Sequence, residues 1–120
     1  MRIAGVLIVA GLAAPALAAA DALPLKRGMF VREGASCQEP SNSNAMSFGG
    51  RDLSTAHVEG KIVRVEKNGQ NYVVTQRLEG DGGMGGNLRG LHKTALRIHS
   101  PTRFTVQDDG ARTYRYCGPS

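Results

Sequence analysis

Residues 58–79 read VEGKIVRVEKNGQNYVVTQRLE and predict two β-strands joined by a tight turn. Asn68-Gly69 lies between the two halves, and both residues tolerate the positive φ that two-residue hairpin turns require. Apolar and polar residues alternate from Tyr72 to Leu78, which is the period of a strand with one solvated face. In the first half the apolar positions change from even to odd, and we expect a β-bulge near Gly60 to accommodate the change.

Short runs of the same kind occur on both sides of this hairpin, and no stretch has a helical period. They are Met29–Arg32, Ala45–Phe48, Leu96–His99, Arg103–Gln107 and Thr113–Tyr116. Six to eight short strands without intervening helices predict an all-β fold, either a small antiparallel β-barrel or a sandwich. We expect one β domain at residues 28–118, preceded by a short N-terminal extension at residues 21–27.

The first 20 residues predict a secretory signal peptide. Arg2 supplies the positive start, and Ile3–Leu12 is an apolar run of ten residues. Cleavage sites of the small-residue type follow Ala18 and Ala20, and both remain open. Ten residues make a helix of about 15 Å, half the thickness of a bilayer core, so we expect no transmembrane anchor in the mature form. The predicted location is periplasmic or secreted.

The length of 120 residues allows one domain, and the formal net charge is +5. Removal of the first 20 residues takes away one arginine and no acid, which leaves +4. Basic residues are dispersed along the chain, and only six aromatic residues are present, so the composition does not favour nucleic acid as a partner. The expected partner is a protein or another component of the cell envelope, of unknown identity.

Cys37 and Cys117 are the only cysteines of the chain. In an exported protein, two cysteines predict a disulfide rather than a metal site or a nucleophile. A bridge that closes a loop of about 80 residues contributes roughly 4.5 kcal/mol in the chain-entropy model. It would tie the beginning of the β domain to its last strand.

Two glycine-rich segments, Phe48–Asp52 and Gly83–Arg89, are the candidate binding sites. Each places an arginine beside glycine backbone and an apolar side chain, a combination that suits an anionic or mixed polar ligand. The predicted ligand-binding residues are Arg51, Asp52, Met84 and Arg89. The alternative is that both segments, including all of Gly80–Gly90, are flexible connections without a ligand.

The sequence favours neither an enzyme nor a metalloprotein. The glycine-rich segment lacks the Lys-Ser/Thr of a phosphate loop, and Asp81 stands alone where calcium repeats need several acids. His57, His92 and His99 do not have the spacing of a closed zinc site and are predicted to be surface residues. No nucleophile and base form a recognisable pair, so a small hydrolase is the weakest alternative. We expect a non-enzymatic protein without metal or cofactor.

Five short blocks carry a resemblance that extends over Gly28 to Cys117. They are FGGRDL at 48–53, VEGKIVRV at 58–65, YVVTQ at 72–76, PTRFTV at 101–106 and YRYC at 114–117. In this order they resemble a family of small exported proteins of alphaproteobacteria that close on a Tyr-Arg-Tyr-Cys strand. Members of that family carry further cysteines in the middle strands, whereas residues 57–61 and 76–80 contain none here. The resemblance implies an exported location and a β fold, and it supplies no mechanism.

Tyr116-Cys117-Gly118 is also similar to the end of the periplasmic inhibitors of c-type lysozyme, which are small β-barrels with a disulfide near this strand. This similarity implies an alternative function as an inhibitor of lysozyme-type cell-wall hydrolases. The serine and lysine loop residues of those inhibitors cannot be placed in this chain, and a basic inhibitor is repelled by a basic lysozyme. The main expectation is therefore a binding module of the periplasm that acts through its surface loops.

Overall fold

The computed structural model describes residues 20–41, 43–81, 87–108 and 110–120, which form eight β-strands. The strands are β1 Gly28–Arg32, β2 Ala45–Phe48, β3 Leu53–Ser54, β4 Val58–Asn68, β5 Asn71–Asp81, β6 Asn87–Ser100, β7 Arg103–Val106 and β8 Arg112–Gly118. The described part of the chain contains no helix, and hence none long and apolar enough to cross a membrane.

One antiparallel sheet contains all eight strands, in the order β3-β2-β1-β8-β7-β6-β5-β4. Its two outer strands meet at a narrow seam. The seam consists of a bridge between Asp52 and Lys61, a hydrogen bond from Ile62 N–H to the Arg51 carbonyl (2.8 Å) and one from Thr55 N–H to the Val58 carbonyl (3.0 Å). The sheet is thus a nearly closed barrel. The prediction of an all-β antiparallel barrel is confirmed.

The inside of the barrel is filled by side chains that alternate with solvated ones along each strand. Phe30 and Phe104 are fully buried and meet edge to face with ring centroids 5.2 Å apart, the arrangement that aromatic quadrupoles prefer. Phe104 also stacks on Tyr114 at 5.3 Å. The other buried core residues are Leu23, Leu25, Phe48, Leu53, Val74, Leu96 and Val106.

Residues 20–27 cover one end of the barrel, which we call the closed end. Leu23 and Leu25 are 2% and 5% exposed and belong to the core cluster. The segment is held by hydrogen bonds from Ala22 N–H to the Gly50 carbonyl (2.7 Å) and from Lys26 N–H to the Pro101 carbonyl (2.8 Å). Each buried leucine contributes about 1.5–3 kcal/mol. The N-terminal extension predicted at residues 21–27 is therefore packed as part of the core.

The predicted hairpin is present, with its turn one residue later than expected. Asn68 pairs with Asn71, so Gly69 and Gln70 are the two turn residues, and Gly69 has a φ of +67°. Positive φ at the first turn residue alone is the pattern of a type II′ turn, which demands glycine there. The sequence pattern had indicated Asn68 and Gly69 because Asn-Gly is the commoner turn pair.

The predicted bulge lies at Val63 rather than near Gly60. The register of β4 against β5 shifts between Ile62 and Arg64, and Val63 is 44% exposed. Glycine is needed at position 60 for a different reason. The Gln76 side-chain amide and the Leu53 carbonyl oxygen occupy the space that a Cβ would need there. The alternation in the sequence thus correctly predicts a change of face in β4, but the bulge that produces it is at a valine and not at a glycine.

The connection expected at Gly80–Gly90 is shorter than predicted, because β5 extends to Asp81 and β6 begins at Asn87. Leu78 pairs with Gly90 and Gly80 with Leu88, so β5 and β6 continue as a ladder through most of this segment. Backbone hydrogen bonds along an exposed ladder require no apolar side chains, and the apolar pattern therefore did not predict it. We call the paired residues 77–81 and 87–91 the β5–β6 ribbon.

The predicted disulfide between Cys37 and Cys117 is present, with the two Cα atoms 5.6 Å apart. It attaches the segment that follows β1 to the last strand. Arg115 supports the same attachment, since its Nη2 donates to the Ala35 carbonyl at 2.8 Å. β1 itself pairs with β8 from Met29 to Arg32, so the first and last strands are joined by both backbone and side chain.

Candidate functional site

The first predicted binding segment is the turn between β2 and β3. Asp52 is half-buried there, and its Oδ2 accepts a hydrogen bond from Ser54 Oγ at 2.9 Å. Ser54 Oγ in turn accepts from Gly60 N–H at 3.1 Å, and Gly49 N–H donates to the Asp52 carbonyl at 3.1 Å. These bonds give Asp52 a role in joining the turn to β4. They support the seam of the barrel and leave less of the carboxylate for a ligand.

Arg51, in the same turn, lies in the electrostatic field of the chain's own Asp21. The Asp21 carboxylate accepts hydrogen bonds from the Arg27 guanidinium, which holds the pKa of that carboxyl below its ordinary value, and the charge of Arg51 acts in the same direction. Gly50 has a φ of +99°, and the Arg27 guanidinium lies where its Cβ would be. The turn that the sequence marked for capture of an anion thus holds the N-terminal segment and its carboxylate.

The second predicted binding segment, Gly83–Arg89, lies only partly within the described residues. Met84 lies outside the described residues. The backbone of Arg89 pairs with Glu79, and its side chain is also outside the described part of the chain. Arg89 is on β6, and Arg51 is in the turn before β3, where its carbonyl accepts from Ile62 N–H of β4. Counted across the seam through β4 and β5, three strand spacings, about 14 Å, separate β3 from β6. The backbones of Arg51 and Arg89 therefore lie in two different parts of the sheet.

The three histidines are all exposed, as predicted. His99 Nε2 lies 2.8 Å from Thr105 Oγ1, which lies 2.8 Å from Thr113 Oγ1 across the next strand pair. Nearby, Arg103 Nε donates to Glu33 Oε2 at 2.8 Å. Within the described ranges, no three His, Cys, Asp or Glu side chains come together as a metal site.

A groove of about 250 Å³ lies beside β1, β2 and β3 and was not visible in the sequence. Met29, Ala45, Met46 and Ala56 give it an apolar lining, and Ser47 and other hydroxyl groups border it. Its size and neutral lining suit a small apolar group. Sequence reasoning missed it because its residues come from three strands and the segment around Pro40, with no local pattern in common.

The β5–β6 ribbon presents the most exposed large apolar side chain of the described residues. Leu91 is 64% exposed, and its neighbours Gly90, His92 and Lys93 are exposed as well. β7 pairs with β6 only from Leu96 onward. Residues 89–93 of β6, which we call the β6 edge, consequently have β5 on one side and no described strand on the other. Unpaired strand edges of this kind are templates for pairing with another chain.

Comparison of the chain with protein-family models, curated proteins and solved structures finds no match.

Proposed function

We propose that this protein is a non-enzymatic binding module of the bacterial envelope that contacts a partner protein through the β5–β6 ribbon. The observation that carries the proposal is the β6 edge, where exposed backbone and the exposed side chain of Leu91 occur together. Exposed apolar groups next to unpaired backbone are typical of surfaces that associate with another polypeptide. The binding element is thus a strand ribbon, in place of the loop that the glycine content predicted.

The proposed location outside the cytoplasm has three supports. Residues 1–20 have the composition of a secretory signal peptide. The Cys37–Cys117 disulfide is compatible with an oxidising compartment, since cytosolic thiols are kept reduced. The similarity of residues 28–117 to small exported proteins of alphaproteobacteria points the same way.

Two of the described carboxyl groups are unsuited to act as general acids. Asp21 and Glu33 have lowered pKa values, each because an arginine, Arg27 or Arg103, donates a hydrogen bond to the carboxylate. A general acid needs the opposite shift, toward neutral pH, which burial or a second acid produces. Each of these carboxylates belongs to a surface ion pair, Asp21 with Arg27 and Glu33 with Arg103.

An affinity experiment tests the proposed function. The exported protein, immobilised through a C-terminal tag, is exposed to solubilised envelope proteins and separately to purified peptidoglycan. We expect one or a few envelope proteins to be retained stoichiometrically and peptidoglycan not to be retained. A matched column carrying the Leu91→Asp variant should lose the retained protein. Retention of the same protein by both columns, or of none by either, contradicts a partner-binding ribbon.

Inhibition of a lysozyme-type hydrolase is the second candidate. Its specific support is the combination of an eight-stranded antiparallel barrel with a disulfide to Cys117 on the last strand, the arrangement that the similarity of Tyr116-Cys117-Gly118 implies. A turbidity assay with c-type lysozyme and the exported protein in molar excess tests it. Loss of lytic activity supports the inhibitor, and full activity at a tenfold excess rules it out for that enzyme.

A further inference from the structure

We propose that the β6 edge binds an extended acidic segment of the partner protein by β-strand addition. This inference rests on the proposed function and names its partner chemistry: a strand that places an apolar side chain opposite Leu91 and an acidic one opposite Lys93. Strand addition obtains affinity from backbone hydrogen bonds and specificity from alternate side chains.

The backbone geometry defines which groups are available. Gln107 N–H donates to the Ala95 carbonyl at 2.8 Å, so the backbone groups of Ala95 face the β7 side of β6. N–H and C=O groups of residues two apart along a strand face the same neighbour. The backbone groups of Leu91 and Lys93 therefore face that side too, where no described strand pairs with them. Both residues are exposed, so a partner strand can reach these groups.

The charge of the strand selects the partner. β6 contains three basic residues and two histidines among its 14 residues, and no acid. A second copy of the chain would oppose this strand with an equally basic one, and like charges directly across a strand pair are destabilising. Lysine on an exposed edge is also a common device against pairing between identical edges. An acidic strand gains from the same charges and is the complementary occupant.

The side chains of Leu91 and Lys93 define the spacing of two residues expected in the partner strand. Leu91 and Lys93 are two residues apart and hence on the same face of β6. A strand paired with this edge meets them with two residues that are also separated by one position. The expected recognition sequence is an apolar residue and an acidic residue at i and i+2, in either chain direction. Neutral β-formers suit the positions between them.

The probe for the test is the labelled peptide acetyl-Thr-Glu-Thr-Val-Thr-Glu-Thr-amide. Its valine has a glutamate two positions away on each side, so the expected spacing is present in both chain directions. Binding to the exported protein is followed by fluorescence anisotropy, and amide hydrogen exchange locates the site. We expect binding at low ionic strength and at least tenfold slower exchange of the Leu91 and Lys93 amides. The peptide with lysine in place of glutamate, and one with N-methylated amides on alternate residues, should not bind.

Two matched charge reversals sharpen the assignment. Lys93→Glu changes the β6 edge, and Lys67→Glu makes the same change at the far tip of the β4–β5 hairpin, where Lys67 is also exposed. We expect Lys93→Glu to weaken peptide binding about fivefold or more, since opposed and like cross-strand charges differ by roughly 1 kcal/mol or more. Lys67→Glu should leave it within twofold. Circular dichroism checks that both variants keep the barrel.

Four results overturn the inference. Peptide binding without protection of the Leu91 and Lys93 amides places the site elsewhere, and equal binding by Lys93→Glu removes the charge argument. Protection of these amides by self-association, seen in analytical ultracentrifugation without peptide, makes a second copy the occupant. An envelope protein retained by the wild type and by Lys93→Glu alike contradicts the acidic partner but leaves the binding role intact. Retention of no protein contradicts the proposed function itself.

Discussion

Leucine side chains and backbone hydrogen-bonding groups have opposite environments at the closed end of the barrel and on the β5–β6 ribbon. At the closed end Leu23 and Leu25 are buried, and the backbone of Ala22 donates to the Gly50 carbonyl. On the ribbon Leu91 is 64% exposed, and among the described strands only β5 pairs with the neighbouring backbone. At the closed end these side chains and backbone groups are packed and hydrogen-bonded within the chain, whereas on the ribbon they are accessible to another molecule.

The difference separates stability from recognition within one small domain. Residues that satisfy each other internally raise the free energy of unfolding, and substitutions there should be costly. Residues that point to solvent contribute little to stability, so the same substitution on the ribbon should affect association alone. The predictions that follow test this division.

The largest effect is expected from removal of the disulfide that fastens the last strand. In the double variant Cys37→Ser/Cys117→Ser the unfolded chain is no longer constrained by a loop of 80 residues. The free energy of unfolding should fall by about 4 kcal/mol in urea titrations, within the range of about 2–5 kcal/mol for small secreted domains. The reduced wild type serves as the control and should match the variant. A change below about 1 kcal/mol would show that the bridge strains the folded state as much as it restricts the unfolded one.

A leucine at each region gives the most direct comparison. Leu23→Ala should destabilise the protein by about 3 kcal/mol, because it leaves a cavity in the core. Leu91→Ala removes the same atoms from the ribbon and should change stability by less than about 0.5 kcal/mol. Thermal and urea unfolding measure both. Similar losses in the two variants would contradict the division between the regions.

An intermediate effect is expected at Gln76, whose Nε2 donates to the carbonyls of Leu53 (2.8 Å) and Gly60 (3.0 Å) inside the barrel. Gln76→Ala leaves two buried acceptors without this donor and should cost about 1–3 kcal/mol. The matched control is Gln70→Ala, because Gln70 makes a solvent-exposed bond with Arg97 at 3.1 Å. If both variants unfold at the same urea concentration as the wild type, the amide does not stabilise the seam.

The smallest effect concerns the pH dependence of the closed end. The pKa of Asp21 is lowered in the folded protein by Arg27, so folding favours the ionised carboxylate. The stabilisation is present above the unfolded pKa and is lost as pH falls through the lower folded pKa. The wild type should therefore lose slightly more thermal stability on acidification than Asp21→Asn. Glu39→Gln, at an exposed carboxyl, is the control, and superimposable acid limbs for the wild type and Asp21→Asn would contradict the coupling.

The sequence predicted the features that depend on local pattern. Alternation located seven of the eight strands, and the two cysteines indicated their own pairing. β3 was missed because its two residues, Leu53 and Ser54, are too few to show a period. The β5–β6 ribbon was missed because glycines conceal a strand whose ladder depends on backbone hydrogen bonds alone.

The candidate sites were less accessible because they depend on residues far apart in the sequence. The pattern of Phe48–Asp52 predicts Arg51 as a ligand for an external anion. In the structure its charge lowers the pKa of Asp21, 30 positions earlier, in the segment where Leu23 and Leu25 are buried. No local spacing signals that approach. The β6 edge depends on where the partner strand β7 ends, at Val106, a property of register that side-chain periodicity does not contain.

The pairing of β1 with β8 also has a consequence for the order in which the chain can fold. All other strand pairs of the sheet join neighbours in sequence and can form as soon as the second strand is available. β1 can pair with β8 only when residues 114–118, more than 80 positions later in the chain, have been synthesised. Closing so long a loop is entropically costly and slow, so contacts of high sequence separation limit the folding rate. The barrel remains an open curved sheet until the end of the chain arrives, and a protein shortened by its last strand should stay susceptible to proteases.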